Sequence, residues 1–227
     1  MSHKVAAVIT AGGTGTRMGR GDKLLCRIGG KTVLERTLEV FEKTAIIDAV
    51  ILVKAANTEY DIERFRKIIK VVNGGKTRFE SVYNGVMAAD GFEFVAIHDA
   101  ARPLVTENVI ESVTKKAFET GAAITGYSVI DTVKTVNRDG VITSTPDREM
   151  LFAAATPQVF RRGLFTEAYK SFDGNATDDA SVVESIHKVY AVTGDRENIK
   201  ITTPFDLLTA EEIVRIREEN DESRDRT

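Results

Sequence analysis

The apolar run Val5-Ala6-Ala7-Val8-Ile9-Thr10 empties directly into Ala11-Gly12-Gly13-Thr14-Gly15-Thr16-Arg17-Met18-Gly19. A strand that ends in glycines can curl its backbone tightly and turn its N–H groups toward a polyanion, because glycine has no Cβ in the way. Arg17 adds a planar fork of donors that matches phosphate. The opening of the chain therefore reads as a strand and a turn built to hold a nucleotide.

Two familiar glycine loops do not fit. The dinucleotide fingerprint needs a glycine three residues after Gly15, where Met18 stands, and the P-loop needs Lys after its last glycine, where Arg20 follows Gly19. The string Ala-Gly-Gly-x-Gly-Thr-Arg-Met instead resembles the loop that sugar and alditol nucleotidyltransferases wrap around the triphosphate of an NTP.

Beyond the loop, strands and helices alternate. Val33, Leu34, Leu38 and Phe41 give Thr32–Lys43 the spacing of a helix lying on a sheet, and Ala49–Val53 is a short continuous apolar run suited to a strand covered on both faces. A helix is expected over Glu59–Ile69 and a short strand over Lys70–Val72, stopped by Asn73-Gly74-Gly75. Helix follows over Thr77–Ala89, strand over Phe94–Ile97, helix over Val109–Glu119 and strand over Ala122–Tyr127. This alternation predicts an α/β fold: a three-layer, doubly wound, mostly parallel, Rossmann-like sheet with ligands at the carboxyl ends of its strands. The order breaks where Thr132–Val136 and Val141–Thr143 flank Asn137-Arg138-Asp139-Gly140, a hairpin signal that predicts a protruding antiparallel arm at about 131–157. No repeat, linker or low-complexity tract divides the 227 residues, so one domain over 1–227 is expected.

Composition removes other classes. No apolar run reaches the roughly 18 residues of a membrane span, and Met1-Ser2-His3-Lys4 leads into the first strand without a signal-peptide pattern, so a cytoplasmic protein with no membrane partner is expected. Cys26 is the only cysteine, which excludes an intramolecular disulfide and a multi-thiolate metal site within the chain. A net charge of −3 argues against nucleic acid as a partner.

Several further residues stand where chemistry is expected. The strand Phe94–Ile97 delivers His98-Asp99-Ala100-Ala101-Arg102-Pro103 at its carboxyl end. Asp99 reads either as a Mg²⁺ ligand, since Mg²⁺ needs only one or two carboxylates beside phosphate oxygens, or as the N-cap of the next helix. His98 reads as a packed, hydrogen-bonded histidine and not as a base. Lys200, between Ile199 and Ile201, points away from the core if its neighbours face it. Lys23 follows the glycine loop, and Arg148 follows the hairpin, where an ordinary surface arginine is the alternative.

The glycine loop, His-Asp-Ala-Ala-Arg-Pro, Asp131-Thr132-Val133-Lys134, Ala155-Thr156-Pro157-Gln158, Thr177-Asp178-Asp179-Ala180-Ser181 and Asn198-Ile199-Lys200 occur in an order that resembles the 2-C-methyl-D-erythritol 4-phosphate cytidylyltransferases, from Val5 to about Leu208. The resemblance implies that Ala11, Gly12, Gly13 and Gly15 cradle CTP and that Gly74 and Ser81 serve the cytosine side. Arg17 and Lys23 would stabilise charge on the α-phosphate. Arg148 and Lys200 would hold the phosphate of the alditol phosphate, with Asp99, Arg102, Thr132 and Thr156 around it. Mg²⁺ is the implied cofactor. Because the arm residue matching Arg148 reaches a neighbour's site in the family, a homodimer is implied as well.

The implied reaction is in-line attack of a phosphate monoester on the α-phosphorus of CTP. Asp22 and Leu24 around Lys23, Lys76 after the glycine pair, and Ile130 before Asp-Thr depart from the family pattern. A D-ribitol-5-phosphate cytidylyltransferase, with a similar Gly-Gly-Thr-Gly-Thr-Arg-Met loop, is the alternative reading; a noncatalytic nucleotide-sensing protein is the other.

Overall fold

A computed structural model describes residues 3–12, 22–172 and 177–224. In chain order its elements are β1 (Val5–Ala11), β2 (Arg27–Ile28), β3 (Lys31–Thr32), α1 (Val33–Lys43), β4 (Ala49–Lys54) and β5 (Ile68–Asn73). Then come α2 (Arg78–Ala88), β6 (Phe94–Asp99), α3 (Glu107–Thr120), β7 (Ala122–Ser128), β8 (Thr135–Val136) and β9 (Ile142–Ser144). The last third holds β10 (Phe152–Arg161), α4 (Arg162–Ser171), α5 (Asp179–Val183), β11 (Tyr190–Thr193) and α6 (Pro204–Arg224).

Seven strands form one sheet in the order β11-β7-β10-β6-β1-β4-β5, parallel except for β10, which runs antiparallel to both neighbours. The period of two along β1 explains the layers. Val5, Ala7 and Ile9 join the cluster under α1, α3 and α6, while Ala6 and Val8 join the cluster under α2, α4 and α5. Every one of these side chains is fully buried. On the second face Gly85 lets α2 come close, since a Cβ there would lie 2.4 Å from Val8 Cγ1 and 2.7 Å from Val53 Cγ2. The three-layer, mostly parallel architecture expected from the alternation is therefore present.

Two expectations are corrected. Glu59–Ile69 is not a helix: Glu42 accepts from the N–H groups of Arg66 and Lys67 at 3.0 Å each, Phe65 is buried in the core, and Ile68-Ile69 already belong to β5. Tertiary hydrogen bonds have replaced the helical ladder here. The hairpin forms, with Gly140 at φ +80° in its turn, but only β8 and β9 pair, so its ladder is shorter than the flanking sequence suggested. Val136, Val141 and Ile142 stand exposed on it.

The functional geometry follows from strand order. β1 lies between β4 and β6, and its end is in register with both, Thr10 beside Asp99 and Ala11 beside Lys54. The chain leaves β1 for one side of the sheet and later returns to the other, so the carboxyl ends of β1 and β6 mark a switch point where such sheets open a crevice.

Candidate active site

A cavity of about 280 Å³ opens at that switch point. Thr10, Ala11 and Gly12 line it from the end of β1, Gly75, Thr77 and Ser81 from the turn and helix after β5, and Asp99 from the end of β6. Four cationic side chains also line it, Lys23, Lys76, Arg78 and Lys200, so the cavity is built for a polyanion. Gly13, Gly15 and Arg17 lie outside the described residues.

Asp99 is the electrostatic centre. Its Oδ2 accepts from Lys200 Nζ at 2.7 Å, while its Oδ1 faces Arg78 Nε and Nη2, both at 3.4 Å, and the Thr10 hydroxyl at 3.4 Å. Arg102 Nε stands 3.9 Å from Oδ2. Burial alone would raise this carboxyl, but Arg78 and then Lys200 hold it well below the usual carboxylate range. Asp99 does not cap a helix, since Thr106 caps α3. Both its oxygens face cations, Lys200 at Oδ2 and Arg78 at Oδ1, and among the described residues it is the one carboxylate on the cavity wall, so a Mg²⁺ ion held there would share it with phosphate oxygens. Among the protein's own side chains Asp99 is the counter-charge to Lys200 and Arg78.

The backbone that carries Asp99 is fixed by a relay of neutral groups. The Asp99 N–H donates to Thr156 Oγ1 (3.1 Å), the Thr156 hydroxyl donates to His98 Nδ1 (3.0 Å), and His98 Nε2 donates to the Arg102 carbonyl (3.1 Å). This pattern requires a neutral imidazole protonated on Nε2. His98 is fully buried against Phe41, and burial pushes its pKa down from 6.5 to about 4. Between those two values the unfolded chain binds a proton that the folded protein refuses. Stability from His98 is therefore complete above about pH 6.5 and is lost as pH falls toward 4, by about 3 kcal/mol at most. Denaturant titrations at pH 7 and pH 4.5 should show His98→Gln losing less stability on acidification than the unsubstituted protein; equal losses would contradict the neutral relay.

Lys200 lies outside any strand, and its orientation is the expected one. Ile201 is fully buried and Ile199 packs on the same core, which leaves the ammonium on the cavity side. Asn198 holds this segment: its Nδ2 donates to the Thr156 carbonyl at 2.8 Å, and its own carbonyl accepts from Arg102 Nη1 at 2.7 Å. Lys23 Nζ reaches the Ile201 carbonyl at 3.1 Å, bringing both lysines to one end of the cleft. Asp22 proves to be a support: it accepts from the Leu24 N–H at 2.9 Å and from the Tyr60 hydroxyl at 2.7 Å, and Tyr60 also reaches the Ala11 carbonyl at 3.3 Å. The segment after the glycine loop is thereby tied back to the end of β1.

Ser81, on the cavity wall, and Gly74 also shape the turn beside it. The Ser81 hydroxyl donates to the Thr77 carbonyl at 2.8 Å and accepts from the Gly75 N–H at 3.0 Å, closing the glycine turn onto the first turn of α2. A Cβ on Gly74 would meet Ser81 Oγ at 2.7 Å, and it is Gly75 that lines the cavity. Arg102 and Thr156 are not on the cavity wall; they brace Asp99. Thr132 and Arg148 are also absent from the wall: both are exposed near the hairpin, where Arg148 Nη1 donates to the Ile130 carbonyl at 2.7 Å. The sequence reading overlooked Arg78, whose signal was an arginine directly after a glycine turn and an N-cap threonine, and named Asp179 only within the Thr177–Ser181 motif without a role.

A cationic cleft at the switch point of a doubly wound sheet, lined by Gly12 at the end of β1 and by Gly75 of the turn after β5, defines a protein that handles nucleotides. The chain belongs to the family described as IspD: 2-C-methyl-D-erythritol 4-phosphate cytidylyltransferase, whose model matches residues 5–216. A relative of that description from Geobacter metallireducens is 40% identical over 93% of this chain and 97% of its own length, and one from Caldanaerobacter subterraneus is 43% identical over 93% and 99%. Among solved structures, the 4-diphosphocytidyl-2C-methyl-D-erythritol synthase of Anaerococcus prevotii superposes with a TM-score of 0.82 at 31% identity, covering 94% of this chain and 97% of its own. The 2-C-methyl-D-erythritol 4-phosphate cytidylyltransferase of Thermus thermophilus gives 0.78 at 30% identity, covering 93% and 99%.

Proposed function

We propose that this protein transfers CMP from CTP to 2-C-methyl-D-erythritol 4-phosphate, releasing pyrophosphate and forming 4-diphosphocytidyl-2-C-methyl-D-erythritol, a step of the non-mevalonate route to isoprenoids. The single observation that carries this reading beyond family membership is the convergence of Lys23 and Lys200 with Asp99 in one cavity beside the glycine turn. An alditol phosphate has a second pKa of about 6, so it is largely dianionic at neutral pH and needs no base to attack. Two anions must still meet, and cations with backbone donors in a confined cleft answer that barrier by charge and position. His98, buried and neutral, takes no part in proton transfer.

Mg²⁺ bound with CTP would be held by Asp99 and would offset negative charge on the phosphates. In this reading the triphosphate is the ligand of Ala11, Gly12, Gly13 and Gly15, the base that of Gly74, Gly75 and Ser81, the α-phosphate that of Lys23 and Arg17, and the acceptor phosphate that of Lys200. Arg148 and Thr132 act from the exposed hairpin on the cleft of a second copy, making the enzyme a homodimer. Their absence from the residues that line their own cavity and the apolar side chains exposed on the hairpin support that assignment. Among the described residues no helix is long and apolar enough to cross a membrane.

Pyrophosphate release with Mg²⁺, CTP and either 2-C-methyl-D-erythritol 4-phosphate or D-ribitol 5-phosphate tests the acceptor. Release with the first and little with the second is expected. Preference for ribitol phosphate would reassign the enzyme to CDP-ribitol synthesis, and release with neither would overturn the reading.

A further inference from the structure

Arg78 stands at the first position of α2, and Thr77 caps that helix by accepting from the Glu80 N–H at 3.0 Å. Its guanidinium meets two carboxylates at once. Nη1 and Nη2 donate to the two oxygens of Asp179 at 2.9 and 2.8 Å, the fork-on-fork geometry that is strongest for this pair. The remaining Nε, together with Nη2, faces Asp99 Oδ1 at 3.4 Å. The Asp179 side chain is 1% exposed, whereas Arg78 keeps 38% of its side chain open to the cavity.

Asp179 is itself held in place. Its neighbour Asp178 accepts from Gln158 Nε2 at 2.9 Å, and Gln158 Oε1 accepts from the Ala180 N–H at 2.8 Å, so α5 is latched to β10. Gln158 pairs with Ile97, just before His98 and Asp99 on β6. Phe79 stacks on Tyr169 at 4.2 Å and fastens the same turn of α2 to α4. Arg78 is thus a fixed bridge between the wall that carries the glycine turn and the carboxylate that carries Lys200.

We propose that Arg78, held by Asp179, is a positioning residue that shares the charge of Asp99 with Lys200 and so leaves the Lys200 ammonium available to the acceptor phosphate. The proposal rests on the functional reading above. One carboxylate divided between two cations binds each less fully than it would bind one alone. Without Arg78 at Oδ1, Asp99 closes wholly onto Lys200 and the acceptor loses its partner. Without the Asp179 charge, Arg78 leans onto Asp99 and crowds Lys200 from the other side. Lysine cannot replace the arginine, because a single ammonium cannot span two carboxylates as a planar fork does.

The test compares Arg78→Lys and Asp179→Asn with Phe79→Leu, which loosens the aromatic stack but leaves the bridge intact. In the first two, KM for 2-C-methyl-D-erythritol 4-phosphate should rise about tenfold while CTP affinity measured by calorimetry stays within about twofold, the split expected when one substrate's binding group is misplaced. In Phe79→Leu the thermal midpoint should fall with both constants unchanged. Arg78→Lys and Asp179→Asn that lose thermal stability but keep the wild-type acceptor KM, or that lose CTP and acceptor affinity together, would overturn the proposal. If Asp179→Asn does not fold, Arg78→Lys, placed at the open cavity wall, decides alone. A wild-type protein that does not use the acceptor at all defeats the functional reading instead. Inorganic phosphate titrated by ³¹P NMR then reads Lys200 directly, with about tenfold weaker binding in Arg78→Lys as the expected result and unchanged binding as the contrary one.

Discussion

Lys23→Met is expected to lower kcat by about 100- to 1000-fold while changing the KM of either substrate little, the loss seen when one preorganised donor to a developing oxyanion is removed. Lys23 is placed by three independent ties: the Asp22 cap, the Tyr60 bridge to Ala11, and its own bond to the Ile201 carbonyl. Its neighbour Leu24 is 2% exposed and anchors the turn in the core. The side chain therefore arrives at the cavity already positioned, and methionine keeps most of its packing while deleting the charge. Lys200→Met supplies the contrast, because it should act first on the KM of the acceptor. Stopped assays of pyrophosphate release on both variants separate the two roles. A Lys23→Met enzyme with kcat within threefold of wild type would remove Lys23 from the chemistry.

Asp99→Ala is expected to cost about 3–5 kcal/mol of folding stability, because it leaves Lys200 and Arg102 without their carboxylate beside Arg78, which keeps only Asp179. For a domain of this size that corresponds to a fall of roughly 10 °C in Tm. Asp99→Asn keeps the shape and the Thr10 contact, so the difference between the two variants separates packing from charge. The pH dependence has a definite sign. The folded carboxyl is held well below its unfolded value of about 3.9, so its contribution is present above that value and fades as pH drops through it. The stability gap between wild type and Asp99→Asn should narrow below about pH 4. Calorimetric scans at neutral and acid pH check both statements, and a variant as stable as wild type at pH 7 would show that the cations do not depend on Asp99.

The sheet was legible because its signal is local: Val5–Thr10 and Ala49–Val53 are apolar throughout, and strands buried on both faces leave no other pattern. Lys200 was legible in direction for the same reason, since Ile199 and Ile201 flank it, although no ladder forms there. Glu59–Ile69 failed because its outcome depends on Glu42, a residue on another element that captures its backbone N–H groups. Thr156 and Arg102 were expected around the acceptor phosphate, but their work as braces could not be seen without the His98 relay. The Arg78–Asp179 bridge was invisible, because 101 residues separate its partners and neither has a local pattern that demands the other. Asp22 misled in the opposite sense: it departs from the family pattern and yet stabilises the turn that carries Lys23.

The most direct measurement is a ³¹P NMR spectrum of the wild-type protein incubated with Mg²⁺, CTP and 2-C-methyl-D-erythritol 4-phosphate. The account predicts that the monoester signal disappears in step with CTP, replaced by free pyrophosphate and the coupled pair of a new diphosphate diester. CMP and pyrophosphate with the monoester untouched would mean hydrolysis without transfer, and unchanged CTP would mean that this cleft does not catalyse the reaction.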